Sequence, residues 1–199
     1  MRELGLIQDG SVLVRDGVIE CVGPTRRVEN LAGARSAVEM DAAGCVVMPG
    51  FVDSHTHLVS GGWRIGGSEL EAGGGILASM SLVRTMPGRR LEHRARASAG
   101  VCLRHGTTTI EVKSGYGLDQ TGELKSLRVA QSLDGNPIDV VATYMGAHAI
   151  PHEYQGRPGE YIEWMCAHML PLIRRRKLAR FVDVSCEAGA FSVPQARRY

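Results

Sequence analysis

The residues best suited to chemistry come at Val52-Asp53-Ser54-His55-Thr56-His57. Two histidines at i and i+2 on an extended segment point to the same side. Their imidazoles can then reach one cation at ~2.0–2.1 Å each. Apolar residues lead into the pair, which places it at the carboxyl end of a strand, where α/β folds build their sites. A bare His-x-His is a weak motif, and its bland reading is two polar side chains in an exposed loop. The strand placement, the preceding Pro49-Gly50 and a β unit further upstream favour a metal site at His55 and His57.

The elements that must position this pair read as follows. Ser11–Arg15 and Val18–Val22 flank Asp16-Gly17, a type I′ hairpin signal, and Gly23-Pro24 ends the second strand. Residues 1–45 read as a small antiparallel β unit, and residues 46–199 as a run of βα units. A glycine-rich stretch follows the histidines. Helical period then marks 89–104, 120–133 and 158–175, with Leu124, Leu127, Val129 and Leu133 as apolar positions of the second of these. Strand character marks 107–112, 139–144 and 181–186, and Ser192 is placed to cap one more helix. Strands alternating with helices through short links mean parallel βα units. About four such units suffice for a doubly wound sheet, whereas a complete (β/α)8 barrel needs eight strands and ~250 residues.

Composition bounds the function. The chain has 199 residues, 44% hydrophobic and 22% charged, the proportions of a globular protein with a real core. No apolar run approaches the ~18 residues of a membrane span. Net charge is +2, with 23 basic and 21 acidic residues, which gives no electrostatic case for nucleic acid or an anionic membrane. The 5 cysteines are scattered without a Cys-x-x-Cys pair, so neither a disulfide framework nor a structural zinc cluster is expected. With no secretory leader at the first residues, the expected location is cytoplasmic.

The segment Val47–His57 resembles the amidohydrolase superfamily signature, PGFVDxHTH, and the fuller set of motifs resembles the imidazolonepropionase family. Those motifs are Ala72-Gly73-Gly74-Gly75-Ile76, the run Glu111-Val112-Lys113-Ser114-Gly115-Tyr116-Gly117-Leu118-Asp119, Glu123-Leu124-Lys125, Gly146-Ala147-His148, and Cys186-Glu187-Ala188-Gly189-Ala190-Phe191. They span nearly the whole chain, and the run at 111–119 is the most specific. The resemblance implies the N-terminal part of a (β/α)8 TIM-like barrel behind a small antiparallel β unit. It implies a metal-dependent cyclic-amide hydrolase that converts 4-imidazolone-5-propanoate and water to N-formimidoyl-L-glutamate in L-histidine degradation. His55 and His57 match the first two metal ligands, and the metal is Zn2+ or Fe3+, since imidazole suits both. Arg64, Tyr116 and His148 match substrate-binding residues. An arginine offers a fork for a carboxylate or ring oxygen, a tyrosine a ring face and hydroxyl, and a histidine a proton-coupled partner for a cyclic amide.

Taken without the resemblance, Arg64 is a solvated loop residue and Tyr116 a turn aromatic, while His148 follows a strand, as a site residue would. His93, His105, His152 and His168 read as surface or helix residues. Glu111 and Lys113 read as a buried pair ahead of the Tyr116 loop, and Glu187 is a weaker acidic candidate. The family pattern departs in two places. The segment between Arg64 and Ala72 is short. The family's third metal histidine, aspartate ligand and water-activating glutamate have no counterpart before Tyr199. The expectation is therefore a chain that carries no complete catalytic set by itself. The partners expected are a small-molecule substrate, no nucleic acid and no membrane, with a homodimer admitted. The alternatives are a truncated, inactive product and a different amidohydrolase of the dihydroorotase or deaminase kind.

Overall fold

A computed structural model describes residues 4–60 and 76–199. The chain divides into two units, Met1–Met48 and Pro49–Tyr199.

The first unit is a hairpin of β1 (Gly10–Arg15) and β2 (Val18–Pro24), followed by the short helix α1 (Thr25–Val28). The strands pair antiparallel, with Arg15 opposite Val18 and a register shift between Leu13 and Val14. Asp16 and Gly17 both have positive φ, 51° and 77°, which a type I′ turn requires. Leu13 and Val28 are this unit's buried apolar side chains.

The second unit is built on four parallel strands, β3 (Phe51–Thr56), β4 (Thr107–Lys113), β5 (Asp139–Ala147) and β6 (Phe181–Val184). Between β3 and β4 run α2 (Ile76–Thr85) and α3 (Gly88–Arg104). Between β4 and β5 runs α4 (Gln120–Ser132), and between β5 and β6 run α5 (Pro158–Trp164) and α6 (Leu170–Arg176). Helix α7 (Val193–Arg198) follows β6, with Ser192 and Gln195 forming a capping box. The strand order is β3-β4-β5-β6. Each crossover therefore steps one strand in the same direction. A doubly wound sheet needs a reversal of strand order, and none occurs among the described strands. The architecture is that of the N-terminal part of a (β/α)8 barrel.

The core lies between this sheet and its helices. Ile110 and Val112 of β4, Leu124, Leu127 and Val129 of α4, Leu133, Tyr144 of β5, Tyr161 of α5 and Phe191 are all buried. Three local features differ from the periodicity. Ile76–Thr85 is a helix that the pattern does not announce, because its apolar residues follow a glycine run without a polar face to define a period. Residues 158–175 are not one α-helix: Met165–Met169 form a π-helical turn between α5 and α6. Pro171 lacks the N–H that would close an α-turn, and the ladder is re-spaced just before it. Strand β5 continues three residues past 144, to Ala147, which carries His148 to the end of the sheet.

The five cysteines are free. No helix among the described residues is long and apolar enough to cross a membrane.

Candidate active site

His55 is the penultimate residue of β3, and His57 is the first residue beyond it. The Asp53 carboxylate accepts the His55 backbone N–H at 3.2 Å, and the Thr56 hydroxyl donates to the Glu111 carbonyl at 2.6 Å. The second bond ties the end of β3 to β4. The two imidazole centroids lie 5.2 Å apart at 66°. Tyr116 comes from the loop after β4 and His148 from the residue after β5, so both stand on the carboxyl rim with His57. His57 is the centre of this group. His148 stacks on it, with centroids 4.7 Å apart and planes within 4°. Tyr116 meets His57 edge-on at 5.1 Å and His148 edge-on at 5.2 Å. Of the residues singled out in the sequence, these four come together. Arg64 lies outside the described residues.

The electrostatics follow from burial. His57 is held down at about 4, first by desolvation and then by the neighbouring His148 and His55, against a smaller upward pull from the Ser114 and Lys113 backbone. Its ring is therefore neutral at pH 7. Its Nδ1 is buried and has no hydrogen-bond partner among the described residues. A buried ring nitrogen without a proton partner is costly unless something else takes its lone pair or proton. His148 is also lowered, mainly by burial. Its Nδ1 lies 3.0 Å from the Gly115 carbonyl, so Nδ1 carries the proton and the neutral ring keeps its lone pair on Nε2. Burial raises the Tyr116 phenol, which stays protonated. The orphaned nitrogen of His57 beside His55 fits two donors of a metal site. Among the described residues no group of three or more His, Cys, Asp or Glu could hold a metal ion.

Two sets of residues support the rim. Lys113 lies between carboxylates, with Nζ 3.0 Å from Glu111 and 2.7 Å from Asp183 of β6, and the Thr143 hydroxyl donates to Glu111 at 2.5 Å. Burial works against the charge on Lys113, yet the two carboxylates outweigh it and its pKa is raised. Below the Tyr116 loop, the fully buried Glu123 accepts backbone N–H groups from Gly115, Gly117 and Leu118. Burial pushes its carboxyl up, and the Ser114 hydroxyl and the N–H donors pull it partly back. Asp183 and Thr143 stand out by no motif. Glu123 lies in the Glu123-Leu124-Lys125 motif, four positions after Asp119, the N-cap of α4, but that motif gives it no role.

A family model described as "Amidohydrolase family" matches residues 38–86. The curated imidazolonepropionase of Parabacteroides distasonis is 43% identical over 210 residues, covering 100% of this chain and 50% of that protein. Those of Phocaeicola vulgatus and Chloroflexus aggregans are each 42% identical, again over the whole chain and over 50% and 51% of their own lengths. The chain spans about half the length of the curated relatives it matches, on their N-terminal side. With the HxH strand end and the in-order parallel sheet, this chain is similar over its whole length to the N-terminal half of the imidazolonepropionases, and over residues 38–86 to the amidohydrolase family model.

Proposed function

We propose that this chain supplies the first half of the active site of a metal-dependent cyclic-amide hydrolase of histidine degradation. The reaction is 4-imidazolone-5-propanoate plus water giving N-formimidoyl-L-glutamate. The observation that carries this is the His57 ring: neutral, half-buried, with an orphaned Nδ1, and walled by Tyr116 and His148. His55 and His57 would hold Zn2+ or Fe3+. A bound cation of this kind lowers the pKa of a water and polarises a carbonyl. Tyr116 presents a ring and a protonated hydroxyl to a flat imidazolone. His148, with its proton committed to Gly115, offers Nε2 as an acceptor for a ring N–H of the substrate. Arg64 is proposed as the partner of the substrate's propionate or ring oxygen, by its match to the family. We place the enzyme in the cytoplasm, working on a small molecule, with a homodimer as its assembly.

Titration calorimetry of the 199-residue chain with Zn2+ tests the ligand assignment. Binding should be measurable in the wild type and lost in the His55→Ala/His57→Ala double variant. Equal binding by both proteins would remove the two histidines from the site. The substrate assignment is tested with 3-(imidazol-4-yl)propanoate, a non-hydrolysable ring carrying the same propionate. Shifts confined to the Tyr116 and His148 resonances support it, and shifts elsewhere only would overturn it.

A further inference from the structure

We propose that Glu123 is a positioning residue for this site. Its carboxylate holds the Ser114–Leu118 loop so that Tyr116 and, through the Gly115 carbonyl, His148 both face His57. From the preceding reading this takes only that Tyr116 and His148 are site residues.

Glu123 is 0% exposed, the only carboxylate among the buried polar side chains of the described residues. Its hydrogen-bond partners are the Ser114 hydroxyl and backbone amides, all of one loop. Oε1 accepts from Gly115 at 3.2 Å, Gly117 at 2.8 Å and Leu118 at 2.9 Å, and Oε2 accepts from Gly115 at 3.0 Å. Burying a carboxylate is expensive, and a position on an apolar helix face would pack more favourably with Leu or Met. Packing alone does not account for a glutamate here. Three N–H groups converging on one carboxylate make a short loop with a single shape.

Gly115 then passes that shape to the neighbouring strand. Its N–H is held by Glu123, and its carbonyl accepts the His148 Nδ1 proton at 3.0 Å. Its φ is +102°, and a Cβ there would lie 2.5 Å from the Met145 carbonyl and 2.8 Å from the His148 Cβ. The contact with His148 is thus as close as two backbones permit, and the loop cannot shift without moving the histidine. Tyr116 is the next residue, between two amides that Glu123 holds, so its ring direction follows from the same contacts. The anchor is firm. Glu123 sits in the first turn of α4, whose N-cap Asp119 accepts the Gly122 N–H at 2.5 Å and whose Leu124 and Leu127 are buried. From the other side the Tyr161 hydroxyl donates toward the Leu118 and Gly146 carbonyls, at 3.2 and 3.0 Å. This closes the connection between the two rim loops.

Nuclear magnetic resonance on the 199-residue chain, without metal or substrate, tests this. In the wild type the Gly115, Gly117 and Leu118 amides should exchange slowly, and Tyr116 and His148 should show ring-to-ring Overhauser contacts. Glu123→Gln keeps the shape but removes the charge and turns one accepting oxygen into an NH2, which meets at least the Gly115 N–H. It should speed exchange of those amides by about tenfold or more and abolish the Tyr116–His148 contacts, while those between Tyr161 and Trp164 persist. Glu123→Asp, one methylene shorter, should not restore them. A Glu123→Gln protein that is less stable yet keeps the rings together would make Glu123 merely structural and overturn the proposal. If that variant does not fold, fast exchange of the three amides in the wild type overturns it alone. Loss of zinc binding by His55 and His57 would defeat the functional reading and leave this result untouched.

Discussion

Gly115 and Tyr161 show how much of the site's geometry rests on single atoms. Gly115 combines a φ of +102° with a Cβ position 2.5 Å from the Met145 carbonyl. Gly115→Ala meets both left-handed strain and a backbone clash, and should cost about 2–4 kcal/mol. Urea unfolding measures this, and a change below about 1 kcal/mol would mean that the loop relaxes freely. Tyr161→Phe removes one hydroxyl that serves two buried carbonyls, Leu118 and Gly146. The expected loss is about 1–2 kcal/mol, with faster amide exchange in the two rim loops. At this scale the sequence is legible where residue type and chemistry coincide. His55 and His57 stand out because imidazoles two apart on a strand have few other uses. Asp183 does not, because a carboxylate that serves a lysine from another strand looks, in one dimension, like any surface acid; Glu123 shows only as part of a motif, and its service to backbone amides does not show at all.

Charge pairs hold the elements around the site in place. Arg84 of α2 donates to the Gly117 carbonyl at 2.8 Å, and its guanidinium also lies 3.1 Å from Asp119 and 2.5 Å from Glu153. The Arg84 hydrogen bond is the chief reason that the Glu153 carboxyl sits below its usual 4.5. Burial pushes Asp183 up, but its bond to Lys113 outweighs this, and Asp183 sits below 3.8. A carboxyl whose pKa is lower in the folded state stabilises the fold above its unfolded value. That contribution disappears as pH falls through the folded value. The melting temperature should therefore fall on acidification below pH 4.5, and a Glu153→Gln/Asp183→Asn variant should show a shallower fall than the wild type. Parallel acid limbs in calorimetry would mean that solvent screens both pairs. The elements themselves differ in legibility. Helix α4 is plain from Leu124, Leu127 and Val129, all buried, behind the Asp119 N-cap. The break between α5 and α6 is hidden, because an apolar period runs through Met165 and Met169 on both sides of the re-spacing that Pro171 imposes.

Strand order, which separates a barrel from a doubly wound sheet, appears only in the folded second unit, because both folds read as the same alternation of strands and helices. An in-order sheet of four strands ends on β3 at one side and β6 at the other. On these edges Phe51 is 54% exposed, Val52 68%, Phe181 52% and Val182 51%. Each edge also presents backbone N–H and C=O groups with no strand partner among the described residues. Long open edges rich in Val and Phe are templates for further pairing, and natural sheets usually blunt them with lysine, proline or a covering element. Neither β3 nor β6 contains a lysine or a proline. The 199-residue chain expressed alone should therefore associate with its own copies, β6 of one against β3 of another or like edges together. Sedimentation should show a mean mass that climbs with protein concentration. Val52→Lys and Val182→Lys place a charge on each edge without touching His55, His57, Tyr116 or His148. Together they should return the chain toward a monomer while the Tyr116–His148 ring contacts stay in place. A wild-type chain that remains monomeric at high micromolar concentration would show that solvent tolerates both edges as they are.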